Sequence, residues 1–240
     1  MKATSDLKKL IVYGDYLSQP FRAVMAFILM NKIPCEEKIF RIMTKEHQNS
    51  DYFKISPQGK VPAITDGEVA LFESHAILRY LKTTRSTPDH WYPDSDFQRR
   101  AKIDEYLDWQ HSGLRETSLK YLIQRLAAPT AEVKLSDSNL IDLKKSLKLI
   151  DSYWLKDEKQ QYLVGNQISI ADLSCVCHLT QLKLVPEDIL NDFPKIKNYQ
   201  DSLMQIPEIL KVHELMIKLE KTQKAKFEKH IKDALQKGKI

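Results

Sequence analysis

Cysteine is scarce in this chain. Its three residues, Cys35, Cys175 and Cys177, are too few and too odd in number to suggest a disulfide framework. Cys175-Val176-Cys177 has no partner cluster, which makes it a poor zinc site and a better packing element, so no metal is expected. No apolar run approaches the roughly 20 residues that cross a bilayer. The first nine residues, Met1 to Lys9, contain neither a hydrophobic signal core nor an arginine-rich amphipathic pattern, which points to a cytoplasmic protein without membrane insertion. Charge of one sign is also missing over most of the length. Residues 211–240 carry nine lysines against four acidic groups and hold the whole net charge of +5. No arginine or aromatic cluster accompanies those lysines, which argues against a nucleic-acid surface.

What is present begins with Tyr16-Leu17-Ser18-Gln19-Pro20-Phe21-Arg22-Ala23-Val24. Leu10-Ile11-Val12 reads as a strand covered on both faces, ended by Gly14-Asp15. Phe21, Val24, Met25, Ile28 and Leu29 follow the spacing of one face of an amphipathic helix. Ser18 is then an N-cap with Pro20 in the first turn, and its hydroxyl can point outward beside the free N–H groups and positive end of the helix, where an anion is best held. Val61–Ile64 and Val69–Phe72 read as a hairpin turning at Asp66-Gly67, with Pro62 confined to an edge or a special turn. Glu73-Ser74 opens a further helix. After the polar linker around Thr83 to His90 the chain reads helical. Ile103, Leu107, Gln110 and Leu114 form one stripe, and Leu140, Leu143, Leu147, Ile150 and Trp154 form another. Pro129, Pro186, Pro194 and Pro207 punctuate these helices. Ser169-Ile170-Ala171-Asp172 is a capping box that serves folding.

These residues carry a resemblance. Leu17-Ser18-Gln19-Pro20 with Arg22-Ala23, Gly59-Lys60-Val61-Pro62-Ala63, Glu73-Ser74, Trp91-Tyr92-Pro93, Trp109-Gln110-His111 and Ser169-Ile170-Ala171-Asp172-Leu173 occur in the order and at the spacing of cytosolic glutathione transferases, most closely the theta class. The resemblance implies an α/β thioredoxin-like N-terminal domain (7–83), a linker (84–96) and an all-α C-terminal helical bundle (97–240).

By the same resemblance, the thiolate of glutathione, a cosubstrate rather than a cofactor, accepts a hydrogen bond from Ser18. A thiol near pKa 8.5 needs about 2.7 kcal/mol of preference for the thiolate to ionise about two units lower. Val61 pairs with the cysteinyl backbone of glutathione, and Pro62 is expected to follow a cis bond. Glu73 and Ser74 hold the γ-glutamyl end, and His47 and Lys60 the glycine carboxylate. Leu17, Arg115 and Tyr121 are candidates for the electrophile pocket, with Arg115 attracting anionic leaving groups.

The implied activity is conjugation of glutathione to small electrophiles (alkyl halides, epoxides, sulfate esters) or reduction of organic hydroperoxides, in a detoxifying transferase that forms a homodimer. The alternative is a non-catalytic scaffold docking through the lysine-rich C-terminal helix. In that helix Val212, Met216, Leu219, Phe227, Ile231 and Leu235 keep an interrupted apolar stripe, whose first half is expected to lie over the active site as a lid.

Overall fold

The computed structural model describes residues 9–127, 137–157, 159–185, 187–223 and 225. The first apolar run forms β1 (Ile11–Gly14), and the Ser-Gln-Pro segment opens α1 (Gln19–Met30). There follow β2 (Glu36–Ile39), the short α2 (Ser50–Phe53), β3 (Ala63–Asp66), β4 (Val69–Phe72) and α3 (Ser74–Thr84). The strands lie in the order β2-β1-β3-β4. β2 runs parallel to β1 across the α1 crossover, while β3 and β4 are antiparallel, with Val12 opposite Ile64 and Ile64 opposite Leu71. This is a thioredoxin-like sheet. The hairpin turns one residue later than the sequence indicates: Asp66 pairs with Val69, leaving Gly67 at φ 67° and Glu68 as the loop. A positive φ at the first loop residue suits glycine.

The second half supplies α4 (Phe97–Gln110), α5 (Glu116–Ala127), α6 (Asp137–Leu149), α7 (Ile170–Gln181), α8 (Pro194–Leu203) and α9 (Pro207–Val212), and residues 214–223 are also helical. Both sequence stripes face inward, with Leu140 alone half-buried. Pro194 and Pro207 sit in the first turns of α8 and α9, where a missing N–H breaks no helix bond. Pro129, Pro186, Phe227, Ile231 and Leu235 lie outside the described residues. Val212 and Met216 are buried and Leu219 packs against them, but all three join the main core and none lines the cleft described below, so the described part of the last helix is core rather than lid.

One helix departs from its sequence pattern. α1 is buried without interruption from Pro20 to Ile28, not along one face. The reason is that it is packed on two sides, against α3 of its own domain and against α7 and α9 of the other. A helix surrounded in this way has no solvent side on which to place polar residues, and the one charged residue in that run, Arg22, is wholly buried.

Ser169 and Asp172 form the capping box of α7. Asp172 does more than cap: Oδ2 accepts from the Ser169 N–H and hydroxyl, and Oδ1 from the Leu163 N–H and the Tyr199 hydroxyl, each at 2.8 Å. Burial raises the Asp172 pKa, and those four donors oppose the rise. Asp172→Ala orphans buried donors from three segments and should cost about 2–4 kcal/mol; urea unfolding reads the loss, and an unchanged midpoint would refute the assignment.

A chain of buried polar groups joins the two halves. His75 on α3 meets Ser174 Oγ at 2.8 Å, Ser174 donates to Gln110 Oε1 at 2.8 Å, and Gln110 Nε2 lies 2.9 Å from His178 Nδ1. Burial pushes His75, His178 and His213 down to about 3. Unfolded, each titrates near 6.5. The unfolded chain therefore takes up protons below pH 6.5 that the folded chain refuses, so this stability is complete above pH 6.5 and is lost as pH falls toward 3. Between pH 7.5 and 5.5 the three together should remove about 4 kcal/mol. Urea titrations at the two pH values test this, and His178→Gln should remove about a third of the effect.

Candidate active site

The loop between β1 and α1 is held from two directions. The buried Asp15 carboxylate accepts the N–H groups of Leu17 (2.9 Å) and Ile42 (3.0 Å), and the Asp15 carbonyl accepts from Ser18 N–H (2.8 Å). Behind it, Arg22 Nη1 donates to the Tyr16 carbonyl at 2.7 Å and the Leu17 carbonyl at 3.1 Å. Its Nη2 donates to the Cys177 carbonyl and Gln181 Oε1 of α7, both at 2.9 Å. Burial lowers the Arg22 pKa. Five hydrogen bonds thus place Ser18 without using its side chain. Ser18 is the N-cap of α1, but its hydroxyl makes no capping bond, and the residue is only 7% exposed.

Across from it, the turn before β3 is built on side-chain to backbone bonds. The Lys60 carbonyl accepts from the Tyr52 hydroxyl (2.7 Å) and from Ser56 Oγ (2.8 Å). Gly59 has φ 59°, and a Cβ there would come within 2.6 Å of the Phe53 ring, so only glycine fits. The Val61–Pro62 peptide is cis. β3 begins at Ala63, which leaves Val61 outside the sheet ladder.

Glu73, exposed, occupies the N-cap of α3 with φ 72°, a left-handed conformation costing a non-glycine residue about 1–3 kcal/mol. Ser74, the first helical residue, is 4% exposed.

The second domain contributes through one irregular turn. Between α4 and α5, His111–Arg115 form a wide π-helical turn, in which a Cβ on Gly113 would come within 2.3 Å of the Trp109 ring. Wide turns of this kind recur at functional sites. Burial lowers the Arg115 pKa, and Glu73 opposes that shift. The result is a cleft of about 130 Å³. Pro20, Lys60, Val61, Pro62, Phe72, Glu73 and Ser74 line it from the first domain, and His111 and Arg115 from the second.

Of the sequence candidates, Lys60, Val61, Pro62, Glu73, Ser74 and Arg115 are therefore gathered in one place, with Ser18 two residues from the wall at Pro20. Three others stand apart. Leu17 packs against the main core and meets the loop through its carbonyl. His47 is buried beside Phe40, 6.4 Å between ring centroids, with Nδ1 unpartnered. Tyr121 does not line the cleft: it lies in the main core beside Arg125 and Glu187, and burial together with Glu187 pushes its hydroxyl up to about 12. The sequence reading passed over Asp15, the role of Arg22, and His111. The signal for His111 was its spacing of four from Arg115, which puts both on one side of a helix.

A thioredoxin-like domain joined to a helical bundle, with a cleft between them that mixes a helix N-terminus, an acidic N-cap residue and fixed cations, defines the glutathione transferase class of fold. Residues 9–83 match the family description "Glutathione S-transferase, N-terminal domain" and residues 116–214 match "Glutathione S-transferase, C-terminal domain". The chain belongs to the glutathione S-transferase family, theta class. It is 37% identical over 224 residues to glutathione S-transferase T1 of Arabidopsis thaliana, covering 89% of this chain and 91% of that one. Against glutathione S-transferase T2 of the same plant it is 38% identical over 221 residues, 88% of this chain, but spans only 37% of that longer protein. The human glutathione S-transferase T1-1 apo structure superposes with a TM-score of 0.81 at 31% identity, covering 92% of this chain and 98% of that one. These relatives are named as transferases and lend no support to a non-catalytic scaffold.

The buried Arg22 yields a test of how the site is positioned. Arg22→Met should lower stability by about 3 kcal/mol, because the Tyr16, Leu17 and Cys177 carbonyls lose their donor, and glutathione affinity should fall with it. Urea unfolding and calorimetry measure the two effects. Full stability in the variant would show that the arginine is not the clamp.

Proposed function

We propose that this chain activates glutathione as its thiolate at Ser18 and joins it to small electrophiles such as alkyl halides, epoxides or sulfate esters, with organic hydroperoxides as further substrates. The observation that carries this reading is the unspent hydroxyl of Ser18. Five hydrogen bonds fix its loop, none of them uses that oxygen, and the free N-terminal amides of α1 lie beside it. A hydroxyl donor to a thiolate, added to a helix N-terminus, supports the roughly 2.7 kcal/mol needed for a two-unit shift.

In this reading the glutathione backbone runs along Val61 as an added strand, next to Pro62. Glu73 takes the α-ammonium of the γ-glutamyl group, and Ser74 at the start of α3 takes its carboxylate. Lys60 serves the glycine carboxylate, joined by His47 when its ring turns out from beside Phe40. The sulfur then attacks in line: the carbon–sulfur bond forms with the sulfur lone pair as the bond to the leaving group breaks, and the departing anion moves toward Arg115. The thiol proton has already left to solvent. The protein acts as a homodimer in the cytoplasm, and its domains divide near residues 84–96, the first holding glutathione and the second shaping the electrophile pocket with Leu17.

Thiolate absorbance of bound glutathione across pH, in wild type and in Ser18→Ala, tests the proposal. Wild type should ionise bound glutathione about two units below the free thiol, and the variant should restore the free value and lose about 100-fold in turnover. Equal thiol pKa values in the two proteins would overturn the role of Ser18.

A further inference from the structure

His111 opens the wide turn between α4 and α5, four residues before Arg115, and both side chains face the cleft wall made by Glu73 and Ser74. The second domain therefore reaches a ligand at Ser74 through this turn. The His111 ring lies on that of His75, with 4.6 Å between centroids and 48° between planes. His75 is pinned from behind. Ser174 has a single hydroxyl proton, which goes to Gln110 Oε1, so in the 2.8 Å contact between Ser174 Oγ and His75 Nε2 the imidazole is the donor. His75 thus carries a proton on Nε2, and burial, with the charges of His111 and Arg79 beside it, holds the ring below its ordinary pKa. Of the two tilted, adjacent imidazoles, His111 is the exposed one.

Charged and titratable groups face His111 from every side. Glu73 does so from the β4–α3 junction, His75 and Arg79 from α3, Asp108 and Arg115 from its own helix, and His178 from α7. Burial and Arg115 lower its pKa in the free protein, and Glu73 and Asp108 oppose them. A carboxylate arriving between His111 and Ser74 would act in the same direction as Glu73.

We propose that His111 is a ligand-binding residue of this cleft, whose imidazolium donates a hydrogen bond to the α-carboxylate of a γ-glutamyl group held at Ser74, so that affinity rises with protonation. The inference rests on the reading of the cleft as a glutathione site. Ser74 and the N-terminal amides of α3 satisfy one side of that carboxylate, leaving acceptor capacity that points across to the second domain. Arg115 supplies a charge that does not change with pH, and His111 supplies the part that does. Because the imidazolium is stabilised by the ligand, binding takes up protons in the range where free His111 is still neutral.

The probe is S-methylglutathione, which has no ionisable thiol. Its affinity is measured by calorimetry from pH 8 to pH 5 in buffers of different ionisation enthalpy, for wild type, His111→Gln, His111→Lys and His47→Gln. Wild type should bind about tenfold tighter at pH 5 than at pH 8 and take up a fraction of a proton per ligand near pH 6. His111→Gln should still bind the probe at pH 8, with a flattened profile and most of the proton uptake gone. His111→Lys should bind tightly throughout, and His47→Gln should keep the slope. A slope and proton uptake that persist in His111→Gln, or that vanish in His47→Gln alone, overturn the inference. Loss of binding at pH 8 in both His111 variants also overturns it, by showing a purely structural role. If wild type fails to bind the probe at any pH, the glutathione reading itself falls.

Discussion

The guanidinium of Arg22 is the constraint on which the rest of this structure depends. A charge taken wholly out of water must find acceptors at fixed distances, and it finds them in two places at once: the loop that ends in Ser18, and α7 of the other domain. The position of the loop is therefore tied to the position of a helix far along the chain. Asp15 closes the same loop from the opposite side with acceptors for Leu17 and Ile42. Between a buried cation and a buried carboxylate, the Ser18 backbone has little freedom left. Its hydroxyl makes no capping bond.

The cleft follows the same logic of constraint on one side and free chemistry on the other. Lys60 is held through its carbonyl, not its ammonium. Glu73 sits in an unfavourable backbone conformation because β4 ends immediately before it and α3 starts immediately after it, and its carboxylate makes no capping bond. At the wide turn of the second domain, Gly113 lets the backbone pass close to Trp109 while His111 and Arg115 project toward the first domain. In each case the backbone absorbs the structural cost, and the functional group of the side chain faces the cleft.

How much of this could be read beforehand depended on whether the determining neighbours were close in sequence. Ser18 before Pro20, the Glu73-Ser74 helix start, the Gly59-Lys60-Val61-Pro62 turn and the Ser169/Asp172 box are local patterns, and each lies where its local chemistry puts it. Arg22 could not be read in this way. On a helix assumed to have a wet face it resembles an ordinary surface arginine, and its acceptor on Cys177 is 155 residues away. The complete burial of α1 escaped for the same reason, since periodicity reports one packed side and not a second. Tyr121 lies in the core away from that cleft: a helical domain offers several inward directions, and spacing alone does not say which of them opens on it. Within Trp109-Gln110-His111 the histidine carries no signal of its own, because its meaning comes from His75, a residue of the other domain.

The enclosure of α1 also bears on how the two halves can be separated. The helix belongs by sequence to the thioredoxin-like unit, yet much of its buried surface is covered by α7 and α9. A fragment cut in the linker would keep all its strands and still present Phe27, Met25 and neighbouring apolar groups to water, along with a guanidinium stripped of half its acceptors. Such a surface invites aggregation more than autonomous folding. The boundary visible in the architecture is thus a seam inside one cooperative unit, and recombination or modular exchange of either half would have to preserve both faces of a single twelve-residue helix.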